Sequence, residues 1–141
     1  MTLEQTIAVT EIMNTETVLS MRDAVVLDGR SFVILDLGDG RTIEIDADGA
    51  KNWCLNGKFH RTDGPAIEWV DGTKYWYLNG LRHRADGPAI EWADGTRSWC
   101  LNGKFHRTDG PAIERANGTK YWFLNGQIRR KDGPVTECLL S

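Results

Sequence analysis

Cys54 and His60 stand six residues apart, and Cys100 and His106 repeat that spacing. A thiol beside an imidazole is the pairing that nucleophilic catalysis uses: the base draws off the proton and the thiolate attacks. Between the two copies, however, the same places hold Tyr77 and His83, so an active site here would be duplicated around an unreactive phenol. No Ser-His-Asp set, Gly-rich phosphate loop or metal-ligand spacing accompanies it. The reading is of a protein that is not an enzyme and takes no cofactor. His60, His83 and His106, with Arg129 in the same phase, also raise the question of a metal. Zinc needs nitrogen ligands at ~2.1 Å, whereas equivalent residues of successive two-stranded hairpins lie about 10 Å apart. Each His is instead expected to fix its own loop by hydrogen bonding. The same geometry puts Cys54 and Cys100 roughly 19 Å apart, past the ~7 Å reach of a disulfide.

Charge offers two further candidates. Residues 1–50 hold ten Asp and Glu against three Arg, a balance of −7, and residues 51–141 hold ten acidic against fourteen basic residues, a balance of +4. An acidic half can imitate a nucleic-acid backbone or dock on a basic partner; Asp36, Asp39, Asp46 and Asp48 are its candidates. Several acids there belong to Gly-containing turns and serve backbone geometry, which is the plainer reading. The basic residues cluster in Lys58-Phe-His-Arg61, Arg82-His-Arg84, Lys104-Phe-His-Arg107 and Arg129-Arg-Lys131. A stripe of Arg61, Arg84, Arg107, Arg129, Arg130 and Lys131 would bind phosphates in a salt-sensitive way. Asp63, Asp86, Asp109 and Asp132 lie beside these clusters and partly cancel the field.

The elements that position all of these follow one beat. Trp53, Trp76, Trp99 and Trp122 are each 23 residues apart, and Pro65, Pro88, Pro111 and Pro134 keep the same interval. The 16 residues Trp53–Glu68 are identical to Trp99–Glu114. Such self-similarity is the mark of tandem duplication. Cys54 and Cys100 alternate with Tyr77 and Phe123, and Asn52 and Ser98 with Tyr75 and Tyr121, which points to a duplicated block of 46 residues. Within a unit, Pro65-Ala-Ile-Glu-Trp69 and Lys74-Tyr-Trp-Tyr-Leu78 are short aromatic and branched runs between turn dipeptides, which predicts β-strands. Asp71-Gly72 between them predicts a hairpin with a two-residue type I′ turn. That register pairs Ile67 with Trp76. A three-residue loop would instead pair Glu68 with Lys74 and repeat the ion pair as Glu91–Arg97 and Glu114–Lys120. The first is favoured because a cross-strand pair is worth ~0.2–1 kcal/mol, against roughly 1.5–3 kcal/mol for burying a large apolar side chain.

The pattern Tyr75-Trp-x-x-Asn79-Gly80-x-x-His83 followed by Asp94-Gly95, on a 23-residue beat, resembles the MORN repeat over about residues 51–138. That resemblance implies one two-stranded hairpin per unit, stacked into an elongated, twisted antiparallel sheet. The family's glycines within the first strand and after the His are absent; Arg61, Arg84 and Arg107 follow the His instead. The variant with Leu-Asn-Gly, His-Arg and Asp-Gly-Pro-Ala is similar to repeats of phage and bacterial proteins.

Residues 1–50 lack a clear repeat. Ala24–Leu27, Ser31–Leu37 and Arg41–Ile45 predict a three-stranded meander, and Thr6–Met13 a further strand, with a short helix as the alternative. This half is read as a cap on the raw end of the array. Apolar runs reach only four residues, too short to span a membrane. The first 13 residues lack the basic and apolar regions of a secretory leader, and the Cys count of 3 is odd, so reduced thiols in a cytoplasm are expected.

The fold class expected is therefore all-β: an elongated, twisted antiparallel sheet, with residues 1–50 as a mainly β cap and 51–141 as four tandem repeats. In the favoured register one face carries Glu68, Tyr75 and Tyr77, then Glu91, Ser98 and Cys100, then Glu114, Tyr121 and Phe123. Aromatic residues rimmed by charge mark a protein interface. The function expected is non-enzymatic presentation of that face to a protein partner, with a homodimer as one arrangement. The resemblance to phage repeats points to a host defence complex that handles nucleic acid, met in the host cytoplasm in the manner of an anti-CRISPR inhibitor. Nucleic-acid or anionic-ligand binding through the basic loops is the alternative.

Overall fold

A computed structural model describes residues 1–25 and 28–132. It opens with helix α1 (Leu3–Met13), the alternative to the strand favoured for Thr6–Met13. Thr2 Oγ1 accepts the Gln5 N–H at 3.0 Å and Gln5 Oε1 accepts the Thr2 N–H at 2.8 Å, a reciprocal capping box. Gln5, Ala8, Val9 and Ile12 then form one buried stripe, the 3.6-residue period that alternation had obscured. Gln5 Nε2 also donates to the Ile45 carbonyl. The meander follows, with β2 (Ser31–Gly38) and β3 (Arg41–Asp46) as predicted and β1 (Ser20–Val25) beginning four residues before the predicted Ala24–Leu27, whose last two residues lie outside those described. Ala8, Val9 and Ile12 pack with Val33, Leu35, Leu37, Ile43, Ile45 and Trp53 in the core, so the cap is a helix on a sheet.

The repeats continue that sheet. After β4 (Lys51–Leu55) and β5 (Lys58–Phe59) come β6 (Ile67–Glu68), β7 (Lys74–Tyr75), β8 (Tyr77–Leu78) and β9 (Leu81–Arg82). The next units give β10 (Ile90–Glu91), β11 (Arg97–Ser98), β12 (Cys100–Leu101), β13 (Lys104–Phe105) and β14 (Ile113–Glu114), and the last supplies β15 (Lys120–Leu124) and β16 (Gln127–Asp132). Twelve strands make one antiparallel sheet in the order β1-β2-β3-β4-β6-β7-β10-β11-β14-β15-β16, with β5 on β4. β8–β9 and β12–β13 form separate ribbons. The fold is all-β and elongated, as expected. No helix among the described residues is long and apolar enough to cross a membrane.

The favoured register is overturned. Ile67 lies opposite Tyr75 and Glu68 opposite Lys74. The loop is the three residues Val70-Asp71-Gly72, closed by Trp69 N–H to Thr73 C=O at 2.9 Å. Gly72 alone takes a positive φ (+93°), and Asp71 Oδ1 accepts the Thr73 N–H at 2.8 Å. That is a type I turn closed by a left-handed glycine. The type I′ geometry belongs to Asn-Gly instead: Asn79 and Gly80 both have positive φ, 51° and 80°, in the tight turn of the β8–β9 ribbon. Opposed residues share a face of an antiparallel pair. One face therefore carries an alternating charge row: Lys51, Glu68, Lys74, Glu91, Arg97, Glu114, Lys120 and Asp132, each the register partner of the next. The other face carries Ile67, Tyr75, Ile90, Ser98, Ile113 and Tyr121.

Successive units are tied by side chain as well as by strand pairing. His60 Nδ1 accepts the Asn79 N–H, His83 Nδ1 the Asn102 N–H and His106 Nδ1 the Asn125 N–H, each at 3.0 Å. Each His thus holds the next unit's loop rather than its own, and the ring proton must sit on Nε2. His83→Phe keeps the ring and removes the acceptor. We expect a loss of about 1 kcal/mol, with faster amide hydrogen exchange at Asn102 than at Asn79.

Candidate functional site

The strand face that bears the Trp residues is built around Arg. In the first unit the Arg61 guanidinium lies 3.9 Å from the Trp53 ring centroid. Its Nε donates to Asp63 Oδ1 at 2.9 Å, and its Nη1 donates to the Pro65 carbonyl at 3.1 Å and to Glu68 Oε1 at 3.4 Å. Arg84 on Trp76 and Arg107 on Trp99 repeat the arrangement at 4.0 and 3.9 Å, with Glu91 and Glu114 as the distal acceptors. Gly64, Gly87 and Gly110 have no special φ; an added Cβ at each would come within 2.9 Å of the guanidinium carbon. Asp-Gly-Pro-Ala therefore has a different purpose from Asp71-Gly72: its glycine makes room for a stacked cation. Between consecutive clamps lie clefts of about 720 and 650 Å³, the first lined by Arg61, Gly64, Trp76, Leu78, His83 and Arg84.

This geometry changes the candidate residues. Arg61, Arg84 and Arg107 are the ones a phosphate stripe would need, yet their side chains are only 20%, 25% and 21% exposed and each has three acceptors. The fourth member of their phase is Arg130, which lies 4.5 Å from the Trp122 ring and bonds Asp132. Arg129 holds the His phase instead and is exposed. Arg129, Arg130 and Lys131 all lie on β16, the last strand of the sheet among the described residues. Glu68, Glu91 and Glu114 belong to the Arg face, not the aromatic face where the wrong register put them.

The acidic candidates hold turns. Asp36 Oδ1 accepts the Gly38 N–H, and Asp46 Oδ1 and Asp48 Oδ1 both accept the Ala50 N–H. Burial and Asp48 push the Asp46 carboxyl above the usual range, while the hydrogen bond with Asp46 holds Asp48 below it. Asp39 is exposed at a turn with φ +56°.

On the opposite face the aromatic candidates do come together. Tyr75 and Tyr77 have ring centroids 6.4 Å apart; Phe59 lies 5.4 Å from Tyr77, and Trp92 lies 6.4 Å from Tyr75. Phe123 stacks at 5.3 Å on Phe105, and Arg115 lies 5.4 Å from the Tyr121 ring. Phe59 and Phe105 read in sequence as parts of basic loops, and Trp92 and Arg115 end strand runs that the overturned register puts on the opposite face. Phe59 opposite Cys54 and Phe105 opposite Cys100 are the register pairs that would have found them.

Cys54 and Cys100 are free and buried. Burial, helped by the Glu44 charge, raises the Cys54 thiol from 9.0 to about 11. Burial raises Cys100 likewise to about 11, against a smaller opposing pull from Arg82. Both shifts run opposite to what an attacking thiolate needs. With His60 Nδ1 engaged by Asn79, the Cys54–His60 spacing sets up no nucleophile–base pair through that nitrogen. Among the described residues no three His, Cys, Asp or Glu side chains converge on a metal position. The fold and its two faces define a β-hairpin repeat protein. Comparison with protein-family models, curated proteins and solved structures finds no match to the chain.

Two outcomes follow. Gly87→Ala shifts the Arg84 guanidinium away from Trp76 and is expected to lower stability by about 1 kcal/mol through the weakened cation–π contact, a loss similar to that of Gly95→Ala, which meets only backbone strain in open space; denaturant unfolding measures both. For the thiols, a folded pKa above the unfolded one stabilises below about 9 and loses that stability as pH climbs toward 11. Thermal midpoints should therefore fall over that window more steeply in the native chain than in the Cys54→Ala, Cys100→Ala variant.

Proposed function

We propose that the chain is a non-enzymatic interaction module that offers the aromatic face of its sheet to a protein partner. The observation that carries this is the row Phe59, Tyr77, Tyr75 and Trp92, whose consecutive centroids lie 5.4, 6.4 and 6.4 Å apart on a rigid sheet. On the same face Trp69 is 46% exposed, apolar surface of the kind that binding hot spots use. Anion binding is the weaker reading because Arg61, Arg84 and Arg107 are already bonded within their own units. Direct contact through Asp36, Asp46 and Asp48 is likewise weakened by their turn bonds, although the acidic end still contributes long-range attraction to a basic partner. Following the resemblance to phage repeats, a nucleic-acid-handling host defence complex in the cytoplasm is the first partner class to try. Free, protonated Cys54 and Cys100 suit that reducing compartment.

The test borrows substitutions that the array already tolerates. Tyr75→Ser and Tyr77→Cys install the residues that Ser98 and Cys100 hold in the next unit, so the fold is expected to survive, as checked by circular dichroism. Affinity capture from host lysate with mass spectrometry should recover a protein with the native chain and lose it with the double variant. Recovery of nucleic acid alone, released by salt and by Arg129→Glu with Lys131→Glu, would contradict the proposal.

A further inference from the structure

The third unit has a gap that its neighbours fill. Ser98 occupies the same place in the register as Tyr75 and Tyr121: all three lie opposite the isoleucines of adjoining strands, Ile67, Ile90 and Ile113. Where a ring would stand there is a cleft of about 320 Å³, lined by Trp92, Phe105, Ile113, Thr96, Ser98 and Arg115. Aromatic groups continue on both sides of it. Trp92 meets Tyr75 edge-on at 74°, and Arg115 stacks toward Tyr121. Ser98 is 1% exposed, and its Oγ has no hydrogen-bond partner. An orphaned buried hydroxyl is costly, and native structures rarely leave one without a reason. Asp94, which also borders the cleft, is already engaged, since its Oδ1 accepts the Thr96 N–H at 2.8 Å.

We propose that this cleft is an anchor site for a tyrosyl side chain of the protein partner. The inference rests on the aromatic face being the docking face and names the chemistry that face selects. A planar ring fits between Trp92 and Phe105 and gives the Arg115 guanidinium a second π surface. A phenol also carries a hydroxyl that can pair with Ser98 Oγ, whose χ1 has three staggered wells to choose from. Leucine would fill the space but leave the hydroxyl orphaned and give the guanidinium no second π surface. A carboxylate would find Arg115 but would be set among aromatic walls with Asp94 alongside. Phenylalanine meets every requirement except the hydroxyl, which makes it the sharpest control.

The full chain can be titrated with N-acetyl-L-tyrosinamide and followed by proton–nitrogen correlation spectra. Saturable shifts are expected at Thr96, Ser98, Ile113 and Arg115, with millimolar affinity and a preference of about threefold over N-acetyl-L-phenylalaninamide. Ser98→Tyr, which installs the ring that the flanking units hold, should abolish the shifts. Ser98→Ala should erase the tyrosine preference while keeping the cleft; it removes a single oxygen and carries the test even if the bulkier variant fails to fold. Absence of saturation, shifts unchanged in Ser98→Tyr, or equal binding of N-acetyl-L-leucinamide would each overturn the anchor. So would a partner captured equally by the native chain and Ser98→Tyr, a result that leaves the aromatic-face reading standing. That broader reading fails on a different result, capture unaffected by Tyr75→Ser with Tyr77→Cys.

Discussion

The structure depends on a cation laid flat on an indole. In each of the first three repeat units one Arg covers the Trp eight residues before it and reaches an aspartate, a proline carbonyl and a glutamate farther along the chain. A guanidinium can do this because it is planar, always charged and forked, so that stacking uses its face and hydrogen bonding uses its rim. Trp53 also packs on helix α1, but in the second and third units the arrangement closes the unit on itself without a second layer. A single-layer sheet ordinarily leaves its large apolar side chains wet; here the charged group is the lid, and the Trp needs no hydrophobic partner from across the strand.

That substitution of lid explains the pairing of the strands. Once Trp76 is covered by Arg84, nothing compels Ile67 and Trp76 to share a face, and smaller terms decide. Asp71 accepting the Thr73 N–H holds the turn in its three-residue form, and Thr73 Oγ1 accepts the Ala93 N–H of the following unit. The charge row then falls into alternation along one face, with Glu68, Glu91 and Glu114 serving both the row and the clamp. Releasing those glutamates from the opposite face leaves it free for isoleucines and aromatic rings. The two faces are consequences of one local choice.

Much of this was legible in the residues, and the failures are instructive. The 23-residue interval, the strands within it, the meander at residues 31–46 and the gathering of Tyr75 with Tyr77 all follow from period and turn dipeptides. The register did not, because the comparison of energies counted burial of Trp76 against a cross-strand ion pair and left Arg84 among solvated loop residues. At Thr6–Met13 the alternation favours a strand with a helix as the alternative, and the capping pair Thr2 and Gln5 decides for the helix. The sequence points to His60 as the fastener of its own loop, because spacing within a unit does not reveal that its acceptor serves the unit after it. Pro134 and Cys138 lie outside the described residues.

Identity between Trp53–Glu68 and Trp99–Glu114 carries a kinetic consequence. During folding, a hairpin from one copy finds in the other a template it cannot distinguish from its own neighbour, because the charge row, the clamp and the histidine fastener all repeat with it. A slip of 46 residues would satisfy nearly every local interaction while looping out an entire pair of units, a trap of the kind expected in repetitive chains. Features that occur once among the described residues oppose it: the helix seated on Ile43, Ile45 and Trp53, and Arg129, which stands where the earlier units have the fastening imidazole. The irregular ends thus count the repeats for the regular middle.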